Sequence, residues 1–194
     1  ALEKGTVTLV GCGPGDPELL TLKAARAIAA ADVVVVDRLV PAAIVALARP
    51  DARVIDAGKE PDGPSTPQGE INRILIREAL LGHSVARLKS GDGFIFGRAA
   101  EELAAVRAAG IETGVIPGIT AAHACAASIG LPVTLRRSVR QFSVLTGATA
   151  DGEVALDWQA LARPGQAFAV YMGVRTASEI RAKLLAAGAD PALP

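Results

Sequence analysis

The sequence predicts an α/β protein: a parallel-sheet N-terminal domain followed by a second α/β domain that stops short at Pro194. Three observations carry this prediction. Short β-branched runs alternate with Ala-rich, helix-periodic segments, the pattern of βαβ units. The runs are apolar at nearly every position, as in Val33-Val34-Val35-Val36, which suits a parallel sheet covered on both faces by helices. The rhythm then changes around Leu131-Pro132-Val133-Thr134, where a stretch with Arg136, Arg137 and Arg140 precedes a new strand.

Strands are expected at Val7 to Val10, Val33 to Val36, Val54 to Ile55, Val85 to Leu88 and Val115 to Ile116. Asp16-Pro17-Glu18 supplies a cap, a proline at the first helical position and a first-turn acid. Thr66-Pro67 repeats the device before a helix over Gln68 to Leu81. In that helix Ile71, Ile74, Leu75 and Ala79 form a buried stripe and leave Arg73 and Arg77 outward. The domain boundary falls between residues 118 and 138, giving domains 1–125 and 126–194. The second contains strands at Gln141 to Thr146 and Ala167 to Tyr171, a hairpin-length set, and a helix over Thr176 to Ala187. So few strands make a poor independent sheet, so this domain reads as incomplete. The N-terminus has no Met and no secretory pattern, so the chain reads as part of a longer, cytoplasmic protein.

Composition narrows the function classes. Twenty basic residues balance twenty acidic ones, so nothing draws the whole chain to nucleic acid or an anionic membrane. The most apolar stretch, Ala27 to Val36, is interrupted by Asp32 and is far shorter than the ~18 residues of a membrane span. Cys12 and Cys125 are far apart, and with only His83 and His123 beside them they offer no metal set. Both are expected to be free thiols.

Three strand-to-helix turns carry the candidate chemistry. Gly11-Cys12-Gly13-Pro14-Gly15-Asp16-Pro17 follows the first strand, and Asp37 ends the second, an arrangement close to a dinucleotide fingerprint. Pro14 and Pro17 remove donors, however, and Asp16 stands where the third glycine belongs, so a pyrophosphate would be repelled. The turn suits either close approach by a ligand without phosphate or a tight chain reversal. Lys89-Ser90-Gly91-Asp92-Gly93-Phe94-Ile95-Phe96-Gly97-Arg98 lies at the carboxyl edge of the sheet, where open α/β folds bind ligands. The bland alternative makes Phe94 and Phe96 core plugs and Asp92 a helix cap. Pro117-Gly118-Ile119-Thr120-Ala121-Ala122 is the third turn, equally readable as a helix entry.

Together with Asp37-Arg38-Leu39-Val40, Gly58-Lys59, Pro67-Gln68 and Tyr171-Met172-Gly173, these segments resemble the tetrapyrrole methylases, and within them the uroporphyrinogen-III C-methyltransferase branch. The resemblance covers essentially the whole chain. It implies a two-domain fold, a homodimer and S-adenosyl-L-methionine held in a cleft, with S-adenosyl-L-homocysteine as product. It places cofactor contacts on Pro14, Ser90, Gly91, Asp92, Ile95, Thr120, Ala121 and Met172, a proton acceptor on Asp37 and a proton donor on Lys59. A sulfonium cofactor carries no phosphate, which accounts for the failed dinucleotide match. The chain departs from the family pattern at Ser90, Gly93, Ala99-Ala100 and Leu135.

The implied reaction is methylation of uroporphyrinogen III at two neighbouring rings to give precorrin-2, for sirohaem or cobalamin. Its carboxylate-rich substrate calls for local cations, with Arg38, Arg98 and Arg136 as candidates beside Lys59, Arg137 and Arg140. Read without the resemblance, Asp37 is a strand-end acid that pairs with Arg38 or caps the helix after Pro41, and Lys59 is a solvated loop lysine. Three other readings stand beside the leading one: a later precorrin methyltransferase, an NAD-binding oxidoreductase or binding module, and a noncatalytic member that keeps the fold.

Overall fold

The first half of the chain builds an all-parallel sheet from β1 (Thr6–Gly11), β2 (Val33–Val36), β3 (Arg53–Asp56), β4 (Val85–Lys89) and β5 (Glu112–Ile116), in the order β3-β2-β4-β1-β5. The computed structural model describes residues 3–58, 66–148 and 156–192. The chain divides into two compact units, Ala1–Ala121 and Ala122–Pro194.

Strand periodicity assigns the two faces of the sheet. Val34 and Val36 of β2, Val10 of β1 and Leu88 of β4 bury one face with Ala24 and Ile28 of α1 (Leu22–Ala30) and Ile44 of α2 (Ala42–Val45). Val33 and Val35 turn the other way and meet Ile71, Ile74, Leu75 and Ala79 of α3 (Gln68–Leu80) and Val106 of α4 (Ala99–Ala108). The expected α3 stripe is therefore buried, and Arg73 and Arg77 face outward. Because the chain leaves β1 towards β2 and leaves β4 across β1 to β5, the sheet order reverses at the β1–β4 pair. The carboxyl ends of these strands flank the natural crevice of such a sheet.

Two helix entries differ from expectation. Asp16 caps only a 3-10 turn, Pro17–Leu19, by accepting from the Glu18 amide. The first α-helix starts five residues later, where the Thr21 hydroxyl accepts from the Ala24 amide. Thr66 does not cap α3: its hydroxyl donates to the Gly58 carbonyl, and α3 begins after Pro67 without a side-chain cap.

In the second unit α5 (Ala121–Ser128) precedes β6 (Gln141–Thr146) and β7 (Gln166–Tyr171). The two strands are parallel, with Gln141 opposite Gln166 and Thr146 opposite Tyr171, so they are not the hairpin-length set that their spacing suggested. A short helix unread from the sequence, α6 (Trp158–Leu161), lies between them, its first turn capped by Asp157. The chain continues into α7 (Ala177–Ala186), where Lys183 lies 5.5 Å from the centre of the Trp158 ring. The Tyr171 hydroxyl accepts from the Ala122 amide and so joins β7 to the start of this unit.

Candidate functional site

The three turns meet at the carboxyl edge of the sheet, and glycine is what lets them. The Gly13 amide donates to the Gly91 carbonyl at 3.1 Å and the Gly91 amide returns a bond to Gly13 at 2.7 Å. Both residues have φ of +65°, a region open to glycine and costly for other residues. A Cβ on Gly118 would lie 2.2 Å from the Gly91 carbonyl oxygen, and one on Gly11 would lie 2.5 Å from the Gly118 nitrogen. At Gly11 and Gly118 the missing side chains are thus filled by neighbouring turns rather than left open to a ligand.

Asp92 clasps two of the turns. One carboxylate oxygen accepts from the Phe94 amide at 2.8 Å and the other from the Gly118 amide at 3.1 Å. It does not cap α4, whose capping position is Arg98 in a left-handed conformation. Phe94 and Phe96 are 58% and 45% exposed, which rules out the core-plug reading. Ile95 lies half-buried between them, and a Cβ added to Gly91 would meet the Ala121 nitrogen and Thr120 Cα at 3.6 and 3.7 Å. Unit 1 therefore gathers Gly91, Asp92, Thr120 and Ala121, with Ser90 adjoining Gly91 in the chain, while Pro14 stands exposed beyond Gly13. Met172 is an exposed residue of unit 2 with φ of +54°.

Asp37 ends β2 with its side chain about one-third exposed. Neither simple alternative for it holds: α2 receives no side-chain cap, and the cation set against Asp37 is Arg87. Arg87 occupies the middle of β4 and is 1% exposed, with Nη2 3.7 Å from Asp37 Oδ1 and 3.3 Å from Glu102 Oε1. Glu102 is fully buried and also accepts from Lys89 Nζ at 3.0 Å and from Gln68 Nε2 at 3.1 Å. Burial pushes the Glu102 carboxyl up, but Arg87, Lys89 and the bonds from Gln68 and Arg87 outweigh it and hold the group below the usual carboxylate range. Burial, reinforced by Arg87, pulls Lys89 below the ordinary lysine range despite Glu102. Cys12 donates its amide proton to the Lys89 carbonyl, and burial raises its thiol to about 12, so it is no nucleophile at neutral pH.

The sequence does not show this buried network at first sight because β4 reads as an apolar strand. The signal was nevertheless present. Arg87 and Lys89 sit two apart in a strand and so share a face. Ala99, Glu102, Leu103 and Val106 follow the i, i+3, i+4, i+7 spacing of a buried helix stripe, and all four are buried.

The candidate substrate cations are placed differently. Arg38 is exposed next to Asp37, and its backbone fills the space beside Gly58. Arg98 is exposed with its guanidinium already paired to Glu101 through contacts of 2.9 and 2.7 Å, so a substrate carboxylate there would compete with Glu101. Arg136 is exposed in unit 2. Lys59 lies outside the described residues. A cleft of about 430 Å³ between α1 and β1–β5, lined by Lys23, Arg26 and Val115 among others, includes none of the candidate site residues. Among the described residues no cluster could hold a metal ion, and no helix is long and apolar enough to cross a membrane.

The donor set suits a cationic cofactor better than a phosphate one. Asp16, Asp37 and Asp92 all stand on the turns at this edge, where carboxylates would repel a pyrophosphate. The turns pair with one another instead of aiming successive free amides at one point.

Comparison with known proteins agrees. A family model described as Tetrapyrrole (Corrin/Porphyrin) Methylases matches residues 6–193. Siroheme synthase from Methylococcus capsulatus is 51% identical over 191 residues, covering 98% of this chain and 40% of that protein. Siroheme synthase from Gluconacetobacter diazotrophicus is 47% identical over 191 residues, covering 98% and 41%. The chain thus spans about 40% of the length of these curated relatives. Among solved structures, uroporphyrin-III C-methyl transferase from Thermus thermophilus complexed with S-adenyl homocysteine superposes with a TM-score of 0.80. It is 40% identical, over 96% of this chain and 74% of that one. A cobalt precorrin-4 methyltransferase shares the fold, with a TM-score of 0.83 at 22% identity over 95% of this chain and 76% of that one. With the family pattern running through both units, the chain belongs to the tetrapyrrole (corrin/porphyrin) methylases.

Proposed function

We propose that the protein transfers methyl groups from S-adenosyl-L-methionine to two neighbouring pyrrole carbons of uroporphyrinogen III, giving precorrin-2. The observation that carries this reading is the carboxylate-bearing edge where three glycine turns meet beside Asp37, in a chain 40% identical to a uroporphyrin-III C-methyl transferase. The cofactor supplies an electrophilic methyl group on a sulfonium. Gly91, Asp92, Ile95, Thr120 and Ala121 are the residues proposed to hold it in unit 1, together with Ser90 and Pro14, and Met172 in unit 2. Methyl transfer to carbon is an in-line displacement, so the protein's contribution is chiefly to fix donor and acceptor in a near-attack geometry.

Proton handling falls to Asp37. As the pyrrole carbon attacks, its ring nitrogen becomes strongly acidic, so a weakly basic carboxylate suffices to take the N–H proton. Arg87 Nη2, 3.7 Å from Asp37 Oδ1, stands beside the carboxylate proposed for that role. Lys59 is proposed as the proton donor, and Arg38, Arg98 and Arg136 as cations for substrate carboxylates. The expected homodimer and cytoplasmic location belong to the same proposal. Family membership leaves the NAD-dependent alternative without support.

The test is a product mass. Incubation with uroporphyrinogen III and isotopically labelled methyl donor should add two labelled methyl groups. Asp37→Ala should lower turnover by about 100-fold or more. Unchanged turnover in that variant removes Asp37 from the mechanism, and transfer to a different macrocycle favours a later precorrin methyltransferase.

A further inference from the structure

The buried charges behind Asp37 are unusual for a parallel sheet. Arg87 lies in β4, the central strand, with β1 on one side and β2 on the other, opposite Leu9 and Val35. An apolar residue would fill that position without the desolvation cost of a buried guanidinium, and a buried ion pair is often no more stabilising than apolar replacements. What an apolar residue could not supply is a guanidinium that reaches both Glu102 and Asp37 from inside the sheet, 3.3 and 3.7 Å away.

We propose that Glu102 is a positioning residue for the transfer reaction: by anchoring Arg87 it fixes the Asp37 carboxylate at the carboxyl edge of the sheet. The inference rests on the function proposed above, in which Asp37 takes the proton. Arg87 and Lys89 carry two formal positive charges, and Glu102 and Asp37 two negative ones, so each cation lies between carboxylates that can hold it in place. Gln68 on α3 supplies a further hydrogen bond that holds Glu102 in place. Among the described residues, Arg87 and Lys89 on β4, Cys12 after β1 and, through Arg87, Glu102 on α4 are titratable or charged groups around Asp37. Arg38 adjoins it in the chain. Glu102 reaches no reacting atom; its effect passes through Arg87.

The experiment replaces the anchoring pair together, Arg87→Met with Glu102→Leu, so that Lys89 and Asp37 remain as one charge of each sign. The readouts are kcat and KM for methyl transfer and the position and width of the Asp37 carboxyl signal in carbon NMR at constant pH, assigned with Asp37→Asn. The folded double variant should lose about tenfold or more in kcat with both KM values unmoved, and the Asp37 carboxyl signal should move and broaden as its fixed partner is lost. Parental kcat or a parental Asp37 carboxyl signal in a folded variant overturns the proposal. Should the double variant fail to fold, Arg87→Lys keeps the charge but loses the planar fork that spans both carboxylates, and the same two readouts apply. If the parent transfers no methyl group, the proposed function fails. The Asp37 carboxyl signal then still decides the positioning: a change in position and width supports it, and an unchanged signal overturns it.

Discussion

Glu78 and Glu102 are buried carboxylates on corresponding stripes of adjacent helices, at opposite ends of the same sheet, yet they are neutralised in opposite ways. Glu78, in the last turn of α3, is met by Arg53, Arg77 and His83, whose side chains are 53%, 60% and 38% exposed. Glu102, in the first turn of α4, is met by Arg87 and Lys89, which are 1% and 6% exposed. The first arrangement staples strand starts to a helix end with partners that remain partly in water. The second excludes water from both signs of charge, which is costly, and sets Arg87 against Asp37 as well as Glu102. Comparable burial of a carboxylate therefore does not imply a comparable role; the exposure of its partners separates a staple from a charge set directed at a site.

Single substitutions should break that comparison most sharply. Glu102→Leu leaves two buried cations facing one partly exposed carboxylate and should cost about 3–5 kcal/mol of unfolding free energy, the range for orphaning a buried partner. Glu78→Leu frees cations that can rehydrate, and should cost no more than about 1 kcal/mol. Urea denaturation of both variants checks this, and equal losses would show that partner exposure is not the deciding variable.

The acid limb of stability sharpens it further. Glu102 has a depressed folded pKa, so its contribution is complete above the unfolded carboxylate value of about 4.3 and disappears as pH falls through the folded value. Stability measured from about pH 5 to 2 should therefore fall less steeply in the Arg87→Met, Glu102→Leu double variant than in the parent. A slope should remain, because Asp32 at the other end of the sheet is also held low, first by the Ser84 amide and then by its hydroxyl. Lys89 works in the opposite pH range. The unfolded chain binds its proton more tightly, so stability rises with pH between the lowered folded value and about 10.4.

How much of this was legible in the sequence depends on what each residue competes with. Val33 to Val36 could be read as a two-face-buried strand because every position agrees, and the α3 stripe because its spacing is regular. The three turns were legible from their glycines, but the reason for Gly11 and Gly118 was not, since turn-on-turn packing depends on residues roughly 80 and 110 positions apart meeting at one edge. Glu78 and Glu102 were overlooked because charge alone predicts exposure, while their helical phase predicts burial. At Asp16 the local cap signal holds but starts only a 3-10 turn, whereas at Thr66 it is outweighed by the hydroxyl's bond to the Gly58 carbonyl.

Thiol labelling asks whether damage at one end stays there. Cys12 is buried between the carboxyl ends of β1 and β4 with its thiol raised to about 12, whereas Cys125 is exposed. Iodoacetamide at pH 8 should modify Cys125 and spare Cys12 in the native parent. Glu102→Leu should open Cys12 to labelling, and Glu78→Leu should not. Labelling of Cys12 in both variants would mean that the two ends unfold as one unit.

The smallest effect should come from Arg53→Ala. Arg53 reaches Glu78 from the start of an edge strand, but more than half of its side chain is in water, and Arg77 and His83 remain on the same carboxylate. Losing one of three partly hydrated partners should cost about 0–1 kcal/mol and diminish further in high salt. Arg87→Ala should behave differently, because it leaves Glu102 in the interior with Lys89 and Gln68 as its remaining partners among the described residues, where bulk salt has little access. Denaturation of the two variants in low and high salt separates the cases. A salt-sensitive Arg87→Ala, or an Arg53→Ala loss comparable with it, would place both carboxylates in the same class and dissolve the distinction on which the role of Glu102 depends.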